Sequence, residues 1–162
     1  MSSSGWDHMA DWWDLHLGEE GDLWHRALID PPLLRLVGEV GGKCVLDLAC
    51  GNGYLSRRFA CHGATVIGVD ASAPLNERAQ SREEQEPLGI TYHVADAADL
   101  SMLEDAVLDL VMCNMALMDI EHSDLAIREV ARVLKQAGRW VFSLAQPCAC
   151  TNTSTCSWMK MD

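Results

Sequence analysis

The residues best suited to chemistry lie at the end of an apolar run, in the stretch VLDLACGNGYLSRRFA, residues 45–60. Gly51 and Gly53 follow the run directly and precede a helical pattern that begins near Tyr54. Glycine in such a turn permits positive φ and lets a ligand approach the backbone without an intervening Cβ. The free N–H groups and positive dipole end of the following helix favour an anionic group, and would also favour a thiolate at Cys50. The stretch therefore predicts a ligand site at a strand end.

Acidic residues accompany this turn. Asp70 ends the next apolar run, nineteen residues after Gly51, a spacing that brings a carboxylate alongside the turn to accept hydrogen bonds from two ribose hydroxyls. Asp47 lies four residues before Gly51, and Ser56 stands where a dinucleotide fingerprint has its third glycine. Asp96 ends a third run and is an acceptor for an adenine amino group. These features indicate an adenosine-containing cofactor and disfavour a dinucleotide.

Alternating strands and helices must position these residues. Strands are predicted from short apolar runs at 43–49, 65–70, 90–96, 108–114 and 138–145. A helix from about Leu125 to Lys135–Gly138 is predicted to pack through the stripe Ile127, Val130, Ala131 and Leu134. The alternation predicts an α/β fold with a doubly wound, Rossmann-like, mostly parallel sheet, in which ligands bind outside the carboxyl ends of the strands.

Three short helices are predicted before the first strand. Trp6, Met9 and Trp13 follow a helical period, Asp22 is suited to capping a second helix, and Pro31-Pro32 is expected to break that helix before a third. The tryptophans of this region are expected to be mainly core, with a substrate lid as the alternative: Trp12, Trp13 and Trp24. The predicted organisation is an N-terminal helical cap over 1–42, a cofactor-binding α/β domain over 43–147 and an irregular tail over 148–162.

Composition excludes several classes of protein. The 162 residues are 49% hydrophobic and 22% charged, which is typical of one globular unit, and the formal net charge of −12 without a basic stripe disfavours nucleic-acid binding. No apolar run approaches the roughly 20 residues of a membrane span. Seven cysteines and no signal peptide predict a reduced, cytoplasmic protein. The spacing of Cys148, Cys150 and Cys156 does not match a zinc site, so no metal is expected.

Several motifs together resemble a known family. The pieces VLDLACGNGYL, VIGVDAS, YHVADAADL, LDLVMCNMALMDIEH and REVARVLKQAGRWVFSLAQPC are similar, in order and separation, to the class I S-adenosylmethionine-dependent methyltransferases of the type-11 family. The resemblance covers residues 43–148 and implies S-adenosyl-L-methionine as cofactor, S-adenosyl-L-homocysteine as product and a small-molecule methyl acceptor. The family often has glycine where this chain has Ala49 and histidine where it has Gln146.

The resemblance also implies roles for individual residues. The aminoacyl end of the cofactor would lie in the glycine turn, the ribose would meet the end of the second strand, adenine the third, and the sulfonium the fourth. The corresponding residues are Asp47, Ala49, Cys50, Gly51 and Gly53 for the turn, Asp70 and Ala71 for the ribose, Asp96 and Ala97 for adenine, and Asn114 and Met115 near the sulfonium.

Methyl transfer to a hydroxyl or an amine also needs a base. His122, which follows Asp119 and Glu121 past the fourth strand, is the candidate, and a solvated helix N-terminus is the alternative. Two other functions stay open from the sequence. One is a nicotinamide-dependent oxidoreductase that uses the same crevice, and the other is a cofactor-binding domain without turnover.

The end of the sequence suggests an incomplete sheet. Only about 17 residues follow Ala145, so the last two strands of the methyltransferase fold are expected to be missing. The strand at 138–145 would then be an apolar open edge, and such edges are usually covered because they template pairing. We therefore expect a homodimer through this edge, or a tail that folds over it.

Overall fold

The computed structural model describes residues 5–145. Five strands form one parallel sheet: β1 Cys44–Leu48, β2 Thr65–Asp70, β3 Thr91–Val94, β4 Leu108–Asn114 and β5 Leu134–Ser143. The helices are α1 Ala10–Leu17, α2 Asp30–Val37, α3 Tyr54–Cys61, α4 Ala73–Gln85 and α5 Ser123–Val133. Short segments at Asp7–Met9 and Leu117–Asp119 are 3-10 turns, and His25–Ile29 is π-helical. The predicted doubly wound α/β fold is confirmed.

The sheet order β3-β2-β1-β4-β5 determines where a ligand can bind. The chain proceeds outward from β1 to β3 and then returns to place β4 on the other side of β1. The crossover direction therefore reverses between β1 and β4, and a crevice opens at their carboxyl ends. The two glycines of the turn directly follow β1, so the sequence places them at this reversal.

Side chains of β1 and β4 alternate between two apolar layers because successive residues of a strand point to opposite faces. Val45 and Met112 pack with α2 and α3 on one face. Leu46 and Val111 pack with α5 and the segment after β3 on the other. Both faces of the central strands are thus covered, which explains their continuous apolar sequence.

The two N-terminal prolines do not break the helix as predicted. Pro31 and Pro32 occupy the first turn of α2, directly after the π-helical segment. Proline is tolerated in a first turn because its missing N–H would have no intrahelical partner there. The expected cap at Asp22 is confirmed, since its Oδ1 accepts a hydrogen bond from the backbone N–H of His25 at 2.8 Å.

The boundary between α5 and β5 also differs from the prediction. The helix ends at Val133 and the strand begins at Leu134, which pairs with Leu108 before residues 135–138 loop out and Arg139 pairs with Leu110. The predicted stripe is therefore wrong in part: Ile127 is 46% exposed, and the face that packs on the sheet is formed by Ala126, Val130 and Val133. The smaller Ala126 permits the closer approach.

Strand β5 is an edge of the sheet within residues 5–145. Its faces are covered unequally, because Val141 is buried whereas Phe142 and Leu144 are exposed. Self-association through this edge stays a prediction. The expected tail, Gln146 and the three C-terminal cysteines lie outside the described residues. No helix in the described part of the chain is long and apolar enough to cross a membrane.

Candidate functional site

A cavity of about 740 Å³ lies at the carboxyl ends of the strands, where the crossover direction reverses. One wall is formed by the ends of β1 to β4. The opposite wall is formed by the N-terminal helices. The predicted cofactor residues that line the cavity are Asp47, Ala49, Cys50, Gly51, Asp70, Ala71, Asp96, Ala97, Asn114 and Met115. The structure therefore brings together all the predicted cofactor residues except Gly53.

The carboxylate of Asp70 is held in a fixed orientation at the centre of the strand wall. Its Oδ2 accepts a hydrogen bond from the backbone N–H of Gly51 at 2.7 Å, and its Oδ1 accepts one from the N–H of Ser72 at 2.8 Å. Burial raises the pKa of Asp70, while these two hydrogen bonds oppose that effect. Each oxygen keeps a lone pair for a further donor. Asp70 can therefore accept two hydroxyl hydrogen bonds, as a ribose requires.

Asp47 lies deeper in the same wall. Burial, opposed by hydrogen bonds from Ser56 and assisted by the charge of Asp70, raises its pKa to about 7. The Ser56 hydroxyl donates to Asp47 Oδ2 at 2.5 Å. Ser56, the residue that replaces the third glycine of a dinucleotide fingerprint, thus has a definite partner. A nearby cation favours the ionised form of such a carboxyl group, so Asp47 is suited to bind an ammonium group.

The outer part of the strand wall is formed after β3. Asp96 is exposed and its Oδ1 accepts a hydrogen bond from the N–H of Ala98 at 2.9 Å, whereas Ala97 is buried. Asp99 does not line the cavity, and its side chain accepts a hydrogen bond from the N–H of Ser101 instead. Asp96 is thus the acid of this pair that faces the cavity.

Two residues of the strand wall have a left-handed backbone. Ala49 has a φ of 58° and Met115 has a φ of 54°, a region that costs an L-residue with a side chain about 1–2 kcal/mol. The family's frequent glycine at the position of Ala49 has a physical explanation in this geometry. The Met115 N–H donates to the carbonyl and to the hydroxyl of Ser143, both at 3.0 Å, and these bonds hold the end of β4 in place.

Gly53 and Cys50 are both buried in the glycine turn. Gly53 has a φ of 80° and lies outside the cavity, where an added Cβ would come within 2.5 Å of the Tyr92 hydroxyl. Cys50 is buried, and burial together with the charges of Asp47 and Asp70 raises the pKa of its thiol well above the ordinary value. The thiolate expected from the helix N-terminus is therefore wrong.

The wall formed by the N-terminal helices is aromatic. Trp6, Met9, Trp13, Leu17 and His25 line it, and Tyr54 at the start of α3 completes this aromatic wall. The expectation that the tryptophans are mainly core is wrong for Trp12 and Trp24, since Trp24 is 68% exposed and Trp12 about half exposed. Trp13 is partly buried and faces the cavity, as the lid alternative proposed.

A chain of polar side chains connects this aromatic wall to the strand wall. The Tyr54 hydroxyl donates to Asp30 Oδ1 at 3.1 Å and accepts from Asn114 Nδ2 at 3.0 Å. The Ser143 hydroxyl donates to Asn114 Oδ1 at 2.5 Å. Asp30 is buried, and its other oxygen lies 3.6 Å from the Arg58 guanidinium. These hydrogen bonds fix the amide of Asn114 at the cavity surface.

The sequence interpretation missed a second polar pair on the aromatic wall. The Nδ1 atom of His25 lies 2.9 Å from Asp22 Oδ1, and the ring contacts Trp13 and Tyr54 edge to face. Only 6% of His25 is exposed, and it lines the cavity. The available signal was a histidine three residues after a capping aspartate, which reads as an ordinary helix start.

Asn52 attaches the N-terminal helices to the glycine turn. Its Nδ2 donates to Asp14 Oδ1 at 2.8 Å and to the carbonyl of Gly18 at 2.9 Å. Arg82 of α4 forms an ion pair with the same Asp14 oxygen at 2.8 Å. The residue between the two turn glycines therefore positions the cap over the cavity.

His122, the predicted base, lies outside the cavity lining. His122 is exposed and precedes α5, where its carbonyl accepts hydrogen bonds from Leu125 and Ala126. Asp119 and Glu121 line the cavity, but His122 does not. The structure thus places His122 at the solvated helix N-terminus that was its alternative interpretation.

Comparisons with known proteins agree with this geometry. A family model described as a methyltransferase domain matches residues 46–142. The ubiquinone biosynthesis O-methyltransferase of Coxiella burnetii is 34% identical over 141 residues, which are 85% of this chain and 58% of that protein. The corresponding enzyme of Acinetobacter baylyi is 32% identical over 138 residues, 82% of this chain and 56% of that protein.

A solved structure gives the same result. An S-adenosylmethionine-dependent methyltransferase from Mesorhizobium loti is 36% identical, with a TM-score of 0.66, over 72% of this chain and 52% of that one. The chain spans little more than half the length of these relatives. The matched family model covers more than half of the chain. The protein therefore belongs to the class I S-adenosylmethionine-dependent methyltransferases, in the type-11 methyltransferase-domain family.

Proposed function

We propose that the protein transfers a methyl group from S-adenosylmethionine to a hydroxyl oxygen of a small aromatic acceptor. The observation that carries this proposal is a single cavity with two unlike walls. One wall presents the oriented carboxylate of Asp70 beside the backbone of Gly51, and the other presents Trp13, Tyr54 and His25. The names of the two O-methyltransferase relatives support an oxygen acceptor.

The strand wall suits the cofactor. Asp70 offers two oriented oxygens for the ribose hydroxyls, and Asp47 can meet the ammonium of the aminoacyl end. Asn114, fixed by Tyr54 and Ser143, lies where the fourth strand ends. The cavity volume falls in the range of roughly 300–1,000 Å³ that small-molecule sites occupy. These features support a cofactor and a small acceptor in one cavity.

The aromatic wall suits a planar acceptor. Ring faces and edges of Trp6, Trp13 and Tyr54 can pack against an aromatic ring, an arrangement worth about 0.5–1.5 kcal/mol per pair beyond the area buried. Bound S-adenosylmethionine supplies an activated methyl group on a good leaving group. The tasks left to the protein are to hold the acceptor oxygen in line, exclude water and remove a proton.

Labelled methyl transfer tests the proposal directly. The chain is incubated with S-adenosylmethionine that carries a labelled methyl group, with catechol and, separately, an aliphatic amine of similar size as acceptors. We expect labelled methyl ether from catechol, no labelled amine, and loss of the product in Asp70→Ala. Calorimetry with S-adenosylhomocysteine is run alongside.

The outcomes separate the alternatives. Binding of S-adenosylhomocysteine without methyl ether would favour a cofactor-binding domain without turnover. Labelled amine in place of ether would contradict the oxygen acceptor. Thermal stabilisation by NAD but not by S-adenosylhomocysteine would favour the oxidoreductase.

A further inference from the structure

The cavity contains a histidine whose surroundings differ from those of the other histidines at or near it. His25 is buried, whereas His8 at the cavity edge and His122 before α5 are exposed. His25 belongs to the aromatic wall and contacts Trp13 and Tyr54 edge to face, the residues suited to hold an acceptor ring. The ring of His25 is held on several sides.

The carboxylate of Asp22 fixes which nitrogen of His25 carries the proton. Asp22 Oδ1 accepts from the backbone N–H of His25 at 2.8 Å and lies 2.9 Å from its Nδ1. Burial opposes ionisation of Asp22, but the hydrogen bonds from His25 outweigh it and lower the pKa of the carboxyl. An ionised carboxylate only accepts, so Nδ1 must be the donor. In the neutral ring Nε2 then has its lone pair free, and no hydrogen bond within residues 5–145 engages it.

The other ionisable groups near the His25 ring are less suited to accept a proton. The Tyr54 hydroxyl donates a hydrogen bond to Asp30, and burial together with the charge of Asp30 raises the pKa of this hydroxyl. Asp30 already accepts from Tyr54 and lies near Arg58. Asp119 and Glu121 line the cavity from the segment after β4, which is separate from the N-terminal helices that hold His25.

We propose that His25, oriented by Asp22, is the general base that accepts the proton of the acceptor hydroxyl. The inference rests on the proposed function, because only an acceptor that loses a proton needs a base. As the acceptor oxygen forms its bond to the methyl carbon, the carbon–sulfur bond breaks and its electron pair stays on sulfur. The hydroxyl proton passes to Nε2, and the imidazolium later releases it to solvent. The products are the methyl ether, S-adenosylhomocysteine and one proton.

The test compares His25→Asn with matched substitutions at other histidines. With catechol and S-adenosylmethionine, we expect kcat to fall by about 10²- to 10⁴-fold in His25→Asn, the usual contribution of a positioned general base. Asp22→Asn should lower kcat by about ten- to a hundredfold, because the ring loses its fixed tautomer. His62→Asn, at the exposed end of α3, is the control. His122→Asn tests the rival base.

Three further measurements distinguish a base from a structural residue. The affinity for S-adenosylhomocysteine should be unchanged in His25→Asn. The decrease in rate that the wild type shows toward acid pH should be absent in this variant. The wild-type protein, labelled with nitrogen-15, should show that the neutral His25 ring carries its proton on Nδ1 and not on Nε2. This third measurement needs no variant, so it applies even if His25→Asn does not fold.

Three results would overturn the inference. The first is methyl transfer by His25→Asn at the wild-type rate, which leaves the proposed function intact. The second is loss of activity in His122→Asn instead, and the third is a neutral His25 ring that carries its proton on Nε2. A wild-type chain that binds S-adenosylhomocysteine but methylates no hydroxyl would overturn the proposed function itself, and the base with it.

Discussion

The two walls of the cavity are built from different kinds of contact. The strand wall depends on short connections at strand ends, where the backbone N–H groups of Gly51 and Ser72 orient Asp70. The aromatic wall depends on side chains from distant segments, such as Tyr54 with Asp30 and Asn52 with Asp14. The fold itself therefore builds the wall proposed to bind the cofactor, whereas individual side chains set the shape of the wall proposed to bind the acceptor.

The largest expected difference between the walls is in how their acids respond to pH. The pKa of Asp47, raised to about 7, lies above that of an unfolded aspartate. Its contribution to stability is full below the unfolded pKa and is lost as pH rises through about 7. Between pH 5 and pH 8 the wild type should lose about 3 kcal/mol of unfolding free energy relative to Asp47→Asn. Urea unfolding at both pH values measures this.

Asp22, which contacts His25 on the aromatic wall, should give stability the opposite pH dependence. Its pKa is lowered, so its stabilisation is present above the unfolded pKa and is lost as pH falls. Asp22→Asn should therefore bring the stability of the protein at pH 7 closer to its stability at acid pH. The same sign for both substitutions would contradict the distinction between the walls.

The next effect concerns the cofactor. Removing the Asp70 carboxylate deletes hydrogen bonds to a charged group, each worth about 1.5–3 kcal/mol. Asp70→Ala should therefore weaken S-adenosylhomocysteine binding by roughly ten- to a hundredfold. Asp99→Ala, outside the cavity, is the matched control. Wild-type affinity in Asp70→Ala, measured by calorimetry, would remove the ribose assignment.

The attachment of the cap should respond more locally. Asn52→Ala removes two part-buried hydrogen bonds to the N-terminal helices, each with a net contribution of about 0.5–1.5 kcal/mol. We expect faster amide exchange across Ala10–Leu17 with unchanged protection in β1 and β2. Equal loss of protection in the sheet would mean that the two walls are not separable.

A smaller stabilisation is expected at Ala49. Because its φ is 58°, Ala49→Gly should raise the free energy of unfolding by about 1 kcal/mol. The same substitution at Ala60, in the last turn of α3, should lower it by up to about 1 kcal/mol because glycine has the lower helix propensity. Thermal or urea unfolding of the two variants should therefore move in opposite directions. Destabilisation by both would contradict the strain at Ala49.

The smallest effect should come from the exposed edge of the strand wall. Asp96 is exposed, so a hydrogen bond to it competes with water and its net contribution is about 1 kcal/mol or less. Asp96→Ala should weaken S-adenosylhomocysteine binding by less than Asp70→Ala. The reverse order in calorimetry would exchange the roles assigned to the two acids.

The strand wall could be predicted from sequence because its signals are local. An apolar run that ends in glycine, followed by another that ends in Asp70, specifies both the elements and the edge at which they meet. The strands at Thr65–Asp70 and Leu108–Asn114 have the predicted bounds. The α5–β5 junction was mistaken because Leu134 fits both a helical stripe and a strand, and only pairing with Leu108 selects the strand.

The aromatic wall could not be predicted in the same way. Asp22 and His25 fit an ordinary helix cap, and nothing local indicates that the ring faces a cavity. The network from Asp30 through Tyr54 to Asn114 joins residues far apart in sequence, which no periodicity marks. His122 was the predicted base because it follows Asp119 and Glu121 past the fourth strand, whereas the structure places His25 in the cavity.

A crystal structure of the chain with S-adenosylhomocysteine tests the central claim most directly. The account predicts ribose hydroxyls on the Asp70 carboxylate, the sulfur beside Asn114, and open space between the sulfur and Nε2 of His25 for an acceptor. A cofactor whose adenosine lies against Trp13 and Tyr54, with Asp70 uncontacted, would contradict the assignment of the two walls.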